Sequence, residues 1–549
     1  MKTANWEKVL IVWAVLTFLL VGCLWIEYPG PQYDETLFVA ASYPRITGAS
    51  HFQIDLWGRP FTLMLMPYLG GLKGWIYRVL LEVAPGSAAT LRLPVLLLGA
   101  ATIFLLYRLT RRTIGAVAAL IAAWLTATDP TFLFTTRLDW GPVVIQRFCL
   151  VLGCYLIVRW HQERQSRFAL AAFFIFGLAL FDKVSFHWLL VGLGTATLAV
   201  FPRELWEALR TRVAVLALAA LLLGAYPFLY YRWATPSSKT SLGVSFETDS
   251  QKFLEKYWML TRSLDGSVLQ GWISNQEAEV EADPPDAMAR LLYRFRDFEG
   301  RLGPSLFLPA LMASCLLLPF SLRPRYWRGI LFPLIFCVVV WLQMFVIRDA
   351  GSVHHVVLMY PFPQLFVAAT VAFLYANFAS RISSRAAAIV TVAMALLLVG
   401  GNLRSTAHQY GQILRNGSAT VWTDAIYSLS NYLKAHADTR VLVLDWGIGT
   451  QLHFLSNNKM PQTGVPPVVS DPAEASGVLE QWIDQENILY ATYASEELRV
   501  FPKTYELFRE MAASRGYEPR LEKAFADRNG RSIFHVYSLT AAHQAAAPQ

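Results

Sequence analysis

Residues 91–131 read LRLPVLLLGAATIFLLYRLTRRTIGAVAALIAAWLTATDPT: two long apolar runs parted only by Arg108, Arg111 and Arg112. A helix needs about 20 mostly apolar residues to cross the hydrocarbon core of a bilayer. Each run has that length, and the arginines between them suit a tight turn at a membrane surface. Similar blocks recur along the chain, near 7–26, 142–160, 168–182, 185–201, 212–231, 304–321, 329–347, 355–379 and 385–403. With 91–108 and 114–131 they make about eleven expected transmembrane helices. The fifth and sixth, 168–182 and 185–201, are short and joined at Phe181-Asp182-Lys183, so they also fit one broken re-entrant pair. The first run follows basic residues as a signal peptide does. It is longer than a typical signal core, however, and no small-residue cleavage site follows, so it is read as a retained helix.

Composition agrees. The 549 residues are 55% hydrophobic and only 16% charged, where soluble domains carry about 25% charged residues. The net charge of +8 sits in the flanks of the apolar blocks and forms no single stripe, which points to membrane helices and away from nucleic acid. Cys23, Cys149, Cys154, Cys315 and Cys337 all fall inside apolar segments, with no metal spacing and no disulfide framework.

Basic residues orient the chain. One alternating set of ends carries Lys2, Lys8, Arg108, Arg111, Arg112, Arg159, Arg164, Arg167, Arg203, Arg210, Arg212, Arg323, Arg325, Arg328, Arg381 and Arg385. The short loops of the opposite set carry only Arg137, Lys183 and Arg348. The positive-inside rule then places the N-terminus in the cytoplasm and, with an odd number of spans, the C-terminal region outside it. The expected location is the plasma membrane, as in a bacterial inner membrane. Two long loops, 27–90 and 232–303, fall on the outer side; in the first, 61–69 and 72–83 read as amphipathic helices lying at the interface.

From 404 to 549 the pattern changes. Strand-like runs at 440–445, 487–493, 518–524 and 532–538 alternate with helical patterns at 423–436, 472–485 and 495–514. Asp527-Arg528-Asn529-Gly530 suits a hairpin turn. Gly447-Ile448-Gly449 follows a strand, but Leu452 stands where a dinucleotide loop needs its third glycine, so a plain strand-to-helix turn is preferred. The expected organisation is a transmembrane domain, 1–403, and an extracytoplasmic soluble α/β domain, 404–549.

Ionisable residues gather on the outer side: Asp34 and Glu35 after the first span, Arg59 and Arg92 in the first loop, Arg137 and Asp139 between the third and fourth spans, Asp182 and Lys183, then Arg348, Asp349, His354 and His355. Each has an ordinary reading. Asp34 and Glu35 fit a solvated helix start, and Asp139 fits a local ion pair with Arg137. Lys183 can snorkel to headgroups, Arg59 can meet a lipid phosphate, and His354-His355 can be interfacial. Jointly they suit sugar transfer from a lipid phosphate. A carboxylate takes the acceptor hydroxyl's proton, and cations stabilise the departing phosphate.

The order of short motifs resembles the GT-C superfamily of membrane glycosyltransferases, nearest the lipid A aminoarabinose transferases and protein O-mannosyltransferases. Asp34-Glu35 resembles that family's acidic pair. Gly58-Arg59-Pro60 resembles its Gly-Lys-Pro segment, and Leu91-Arg92-Leu93-Pro94 contains its Arg-Leu-Pro signature. Arg137-Leu138-Asp139 resembles its second acidic site, Phe181-Asp182-Lys183 its Thr-Lys-Gly segment, and His355 to Pro363 its Arg-Tyr-x-x-Pro-x-x-Pro segment. The resemblance covers about 1–403. It implies an inverting transferase moving a sugar from a polyprenyl-phosphate carrier to a cell-envelope lipid, glycan or protein hydroxyl. In that scheme Asp34, Glu35 and Asp139 are catalytic, and Arg59, Arg92, Lys183, Arg348 and His355 hold the donor phosphate. No cofactor is implied beyond the lipid-linked donor, and the metal requirement stays open. The competing readings are a transporter or flippase for a lipid-linked glycan and a non-catalytic membrane scaffold. Repeat symmetry with midplane charges, which a transporter would show, is not seen.

Overall fold

A computed structural model describes residues 3–43, 52–235, 245–299, 303–321, 326–436, 438–460, 462–464 and 472–541. Lys2, Arg323 and Arg325 of the basic flanks lie outside the described residues. Each of the eleven apolar blocks is helical. Among the described residues six helices are long and apolar enough to cross a membrane: Asn5–Cys23 within the first helix, Ala88–Thr113, Val144–Glu163, Trp327–Val346, Val353–Arg381 and Ser384–Asn416. Two bent pairs raise the number to eight if each is one span: Ala116–Thr128 with Pro130–Arg137, bent by 58°, and Arg212–Gly224 with Tyr226–Ala234, bent by 62°. Both bends fall where a proline opens the second helix, because proline cannot continue the hydrogen-bond ladder. Phe186–Val200 and Phe307–Leu316, with 15 and 10 residues, fall short of the length of a full span, and Ser166–Asp182, with 17, stands at its lower limit. Leu218, Leu222, Leu396 and Leu397 point outward from their helices, as side chains that meet lipid rather than water do.

The first loop departs from the sequence reading. Helix Leu72–Val83 forms as expected, but 61–69 is sheet, not helix. Strands β1 (Phe52–Leu56), β2 (Arg59–Met66) and β3 (Leu69–Gly70) pair antiparallel in that order. Trp57 (φ 54°) and Gly58 (φ 75°) make the two-residue turn of a β1–β2 hairpin, which needs positive φ at both positions. A short apolar run fits helix or strand equally by periodicity, and the turn decides.

The C-terminal region is a mixed five-stranded sheet of β4 (Arg440–Val443), β5 (Gln462–Gly464), β6 (Ile488–Tyr493), β7 (Tyr517–Ala526) and β8 (Ser532–Ala541), in the order β5-β4-β6-β8-β7. β4 runs parallel to β5 and β6; β8 is antiparallel to β6 and β7. Alternation along the strands feeds two cores. Val441, Val443, Leu489 and Ala491 meet helices Ala425–Ala435 and Gly449–Leu455. Leu442, Leu444, Ile488 and Tyr490 meet helices Pro472–Ile483 and Pro502–Ser514. The first core also takes in Val39, Tyr77 and Leu91 from the N-terminal half.

Candidate functional site

The acidic pair opens a short helix, Tyr33–Leu37, whose start is fixed by a capping box: Gln32 Oε1 accepts from the N–H groups of Asp34 and Glu35, and Glu35 accepts from the Gln32 N–H. Adjacent helical positions face different ways, and the two acids part accordingly. Glu35 turns inward, where Arg92 Nε and Nη2 donate to its two oxygens at 2.8 and 3.0 Å. The other Arg92 N–H groups donate to the carbonyls of Ile26, Pro29 and Gly30. All five guanidinium donors are therefore used, in a fully buried group. Arg92 has no donor left for a ligand phosphate, and the Glu35 oxygens are taken up by Arg92 and the Gln32 N–H; together they clamp the first loop to helix Ala88–Thr113.

Asp34 faces the other way and is half-buried. Burial pushes its carboxyl up to about 6, against the pull of a hydrogen bond from Gln32 and the charge of Lys183. Among the described residues no cation pairs with it directly. Lys183 is buried where helix Ser166–Asp182 ends. Its Nζ donates to the Gly141 carbonyl at 2.7 Å, and among the described residues it meets no carboxylate within 4 Å. Asp34, Asp139 and Asp182 all lie within electrostatic reach of it.

Among the described residues Arg137 and Asp139 do not pair with each other. Arg137 donates to Tyr410 and to the carbonyls of Trp25 and Tyr28, on the side of the first loop. Asp139 has a left-handed backbone (φ 42°) and turns away from it. One of its oxygens accepts from the N–H groups of Val143 and Val144, and the other from Lys73 Nζ at 2.8 Å. Lys73, which the sequence reading passed over, lies near the rings of Phe38 and Tyr77. Its signal was a lysine at the start of an amphipathic helix, set between glycines in Gly70-Gly71-Leu72-Lys73-Gly74.

The remaining cations are dispersed. Arg59 is exposed beside the hairpin turn, paired across the strands with Leu56, at the opposite end of β2 from Leu65 and Met66, which pack with Tyr33 and Leu37 of the Asp34 helix. Arg348 is exposed on the rim of a separate groove with Glu247, Lys252, Lys256 and Ser352. His355 stacks edge-on against Trp188 at 5.3 Å and hydrogen-bonds Ser352 at 3.0 Å. Lys183 is near enough to His355 to act on it electrostatically, so His355 borders the cluster, while its partner Ser352 also lines the groove of Arg348. Among the described residues no three His, Cys, Asp or Glu side chains converge as metal ligands would.

The C-terminal region completes this surface. Trp446, just past β4, lies with its ring 4.5 Å from that of Tyr33, the neighbour of Asp34. Thr450 Oγ1 donates to the Tyr33 carbonyl and meets Thr36 Oγ1, and Gln451 Nε2 donates to the Pro31 carbonyl at 2.8 Å. The helix bearing Asp34 is thus bound from one side by Arg92 and from the other by helix Gly449–Leu455.

A family model for dolichyl-phosphate-mannose-protein mannosyltransferase matches residues 72–231. AglB, the archaeal oligosaccharyltransferase of Archaeoglobus fulgidus, solved with an inhibitory peptide and a dolichol-phosphate, has a similar structure at a TM-score of 0.54 and 13% identity, over 100% of this chain and 75% of AglB. ArnT of Cupriavidus metallidurans, solved with undecaprenyl phosphate, matches at a TM-score of 0.52 and 15% identity, over 99% of each chain. No curated protein matches in sequence. The fold is that of the PMT-like GT-C membrane glycosyltransferases, as the short motifs implied, in a multi-pass membrane protein with a strand-containing C-terminal domain.

Proposed function

We propose that this chain, built on the GT-C fold, is an inverting glycosyltransferase that moves a sugar from a polyprenyl-phosphate carrier to a hydroxyl of a cell-envelope lipid, glycan or protein. The observation that supports it best is the asymmetry within the acidic pair. Glu35 is taken up by Arg92, while Asp34 is half-buried, without a direct cation partner among the described residues and poised near pKa 6, close to what a general base at neutral pH needs. The acceptor oxygen attacks the anomeric carbon as Asp34 takes its proton. The bond from that carbon to the phosphate oxygen breaks, and the phosphate keeps the electron pair. Lys183, a buried cation whose one side-chain partner among the described residues is the Gly141 carbonyl, stabilises that charge where water is scarce. Asp139, held by Lys73, fixes the loop that carries Gly141 and so the position of Lys183. His355 lies on the phosphate side, Arg348 on an outer rim, and Arg59 at the membrane surface. Glu35 and Arg92 shape the site without touching substrate.

The same reading keeps the division into a transmembrane domain, 1–403, and a C-terminal domain, 404–549, although helix Ser384–Asn416 runs through that boundary. It puts the N-terminus in the cytoplasm and the C-terminal domain outside, in a plasma membrane of bacterial inner-membrane type. The test is purified protein in nanodiscs given radiolabelled polyprenyl-phosphate sugar or the matching nucleotide sugar in parallel, with cell-envelope extract as acceptor. Transfer from the lipid-linked donor, lost in Asp34→Asn, is expected; transfer from the nucleotide sugar without any lipid intermediate refutes the donor class.

A further inference from the structure

In open sheets with parallel strands, ligands bind outside the carboxyl ends of the strands. Here β4 and β6 are neighbouring parallel strands, and their carboxyl ends carry buried polar groups that the fold satisfies only in part. Asp445, two residues past β4, is 7% exposed. Its Oδ1 accepts from the N–H groups of Trp446 and Phe501, Arg499 lies within electrostatic reach of it, and among the described residues its Oδ2 has no hydrogen-bond partner. Tyr493, the last residue of β6, is 1% exposed, and among the described residues its hydroxyl is likewise unpartnered. The two belong to one cluster. The charge of Asp445 acts on Tyr493, and a Cβ at Gly447 would lie 2.9 Å from the Tyr493 hydroxyl. Buried polar groups nearly always have partners, so two orphans side by side at strand ends ask for one. Burial pushes the Asp445 carboxyl up, which adds to the demand for a donor there. The half-buried ring of Trp446 lies between this pair and Tyr33-Asp34.

A carboxylate oxygen that accepts, a phenol that donates or accepts, and an aromatic ring form the set that binds a sugar: paired hydroxyls meet the polar atoms, and the apolar face of the pyranose meets the ring. We propose that Asp445, Trp446 and Tyr493 form a saccharide-binding subsite in the C-terminal domain, and that it presents a glycan acceptor to Asp34. The binding rests on the strand-end geometry alone; the acceptor role rests also on the transferase reading. The alternative occupant, a hydroxyl-bearing peptide, lacks the pyranose face that Trp446 suits.

The test is saturation-transfer NMR on the full chain in nanodiscs, with maltose, cellobiose and α-1,6-mannobiose each as probe and a serine/threonine peptide as comparison. Saturation transfer to at least one disaccharide is expected. It should weaken about tenfold in Asp445→Asn and in Trp446→Ala, persist in Trp446→Phe, which keeps a ring, and stay unchanged in the surface variant Lys503→Gln. Melting temperatures of the variants show whether they fold, and the near-isosteric Asp445→Asn keeps the test valid if Trp446→Ala does not. No transfer to any disaccharide, transfer unaltered in both variants, or Trp446-dependent signal from the peptide alone would each overturn the proposal. Because this readout needs no turnover, saccharide binding with an inert lipid-linked donor would instead count against the transferase reading.

Discussion

Replacing Asp34 with Asn should make the protein more stable at neutral pH while abolishing transfer. An aspartate carboxyl of ordinary pKa 3.8 that stands at about 6 in the folded protein binds its proton more tightly folded than unfolded. Each pKa unit corresponds to about 1.4 kcal/mol, so the ionised form costs the fold about 3 kcal/mol. Below pH 3.8 the carboxyl is protonated in both states, and the wild type and Asp34→Asn differ little. Between pH 3.8 and 6 the wild type loses stability relative to Asp34→Asn, and above about pH 7 the gap is constant. Melting of both proteins in detergent, followed by intrinsic fluorescence from about pH 4 to 8, should show the curves diverging over that window and then running parallel. Transfer should follow the opposite course. It rises in the wild type as Asp34 ionises through about pH 6, and it falls by about 10²-fold or more in Asp34→Asn at every pH. An Asp34→Asn variant less stable than the wild type at neutral pH would show that the carboxylate is part of the structural frame. Near-normal turnover would remove Asp34 from catalysis altogether.

Other perturbations separate the neighbouring residues. Lys183→Met should reduce transfer by about 10²-fold, as loss of a preorganised charge at a leaving group does. Arg59→Met should leave transfer near the wild-type level in the same assay, because Arg59 stands on the hairpin and not in the cluster. Lys73→Met strands the buried Asp139 carboxylate and should destabilise by about 3 kcal/mol or more; adding Asp139→Asn should recover part of that loss in a denaturation series. A cysteine at exposed Ser514 should react with an impermeant thiol reagent in intact spheroplasts; reaction only after the membrane is broken would reverse the orientation.

Long periodic features were legible in the sequence. The apolar blocks became helices, and in the tail the strand-like runs at 440–445, 487–493, 518–524 and 532–538 became β4, β6, β7 and β8. Short features were not. The stretch 61–69 carries enough apolar residues for a helix face, and only the Trp57-Gly58 turn makes it sheet. Helix Gly449–Leu455 and β5 were too brief to register as patterns. Pairings across the chain were the least legible, because nothing in a linear sequence says which of several cations a carboxylate will meet. Arg137 lies two residues from Asp139 and ignores it, while Lys73, 66 residues away, is its partner. Arg92 carries a family signature, yet its five donors show it as a clamp, a distinction visible only once all its acceptors are in place.

The same consideration changes what the C-terminal domain is. From its sequence it is a soluble α/β unit appended to a membrane enzyme. In the fold it is part of the frame that holds Asp34. Gly30 donates its N–H to the Trp422 carbonyl, and a Cβ there would stand 2.0 Å from the Thr423 carbonyl oxygen. At Gly86 a Cβ would stand 2.0 Å from the Phe454 carbonyl oxygen, while its N–H donates to Asn457 Oδ1 at 2.6 Å. No side chain fits at either point, so the first loop and the C-terminal domain meet backbone to backbone on both sides of the Asp34 helix. Such an interface tolerates little sliding. An alanine at Gly30 should therefore do more than remove one contact. By wedging Thr423 away it would shift helix Gly449–Leu455, loosen the bonds from Thr450 and Gln451, and leave Asp34 misplaced relative to Lys183. The expected result is a variant that inserts in the membrane and retains its helices by circular dichroism but transfers sugar poorly. Full activity in Gly30→Ala would mean that the position of Asp34 is set by the capping box and Arg92 alone.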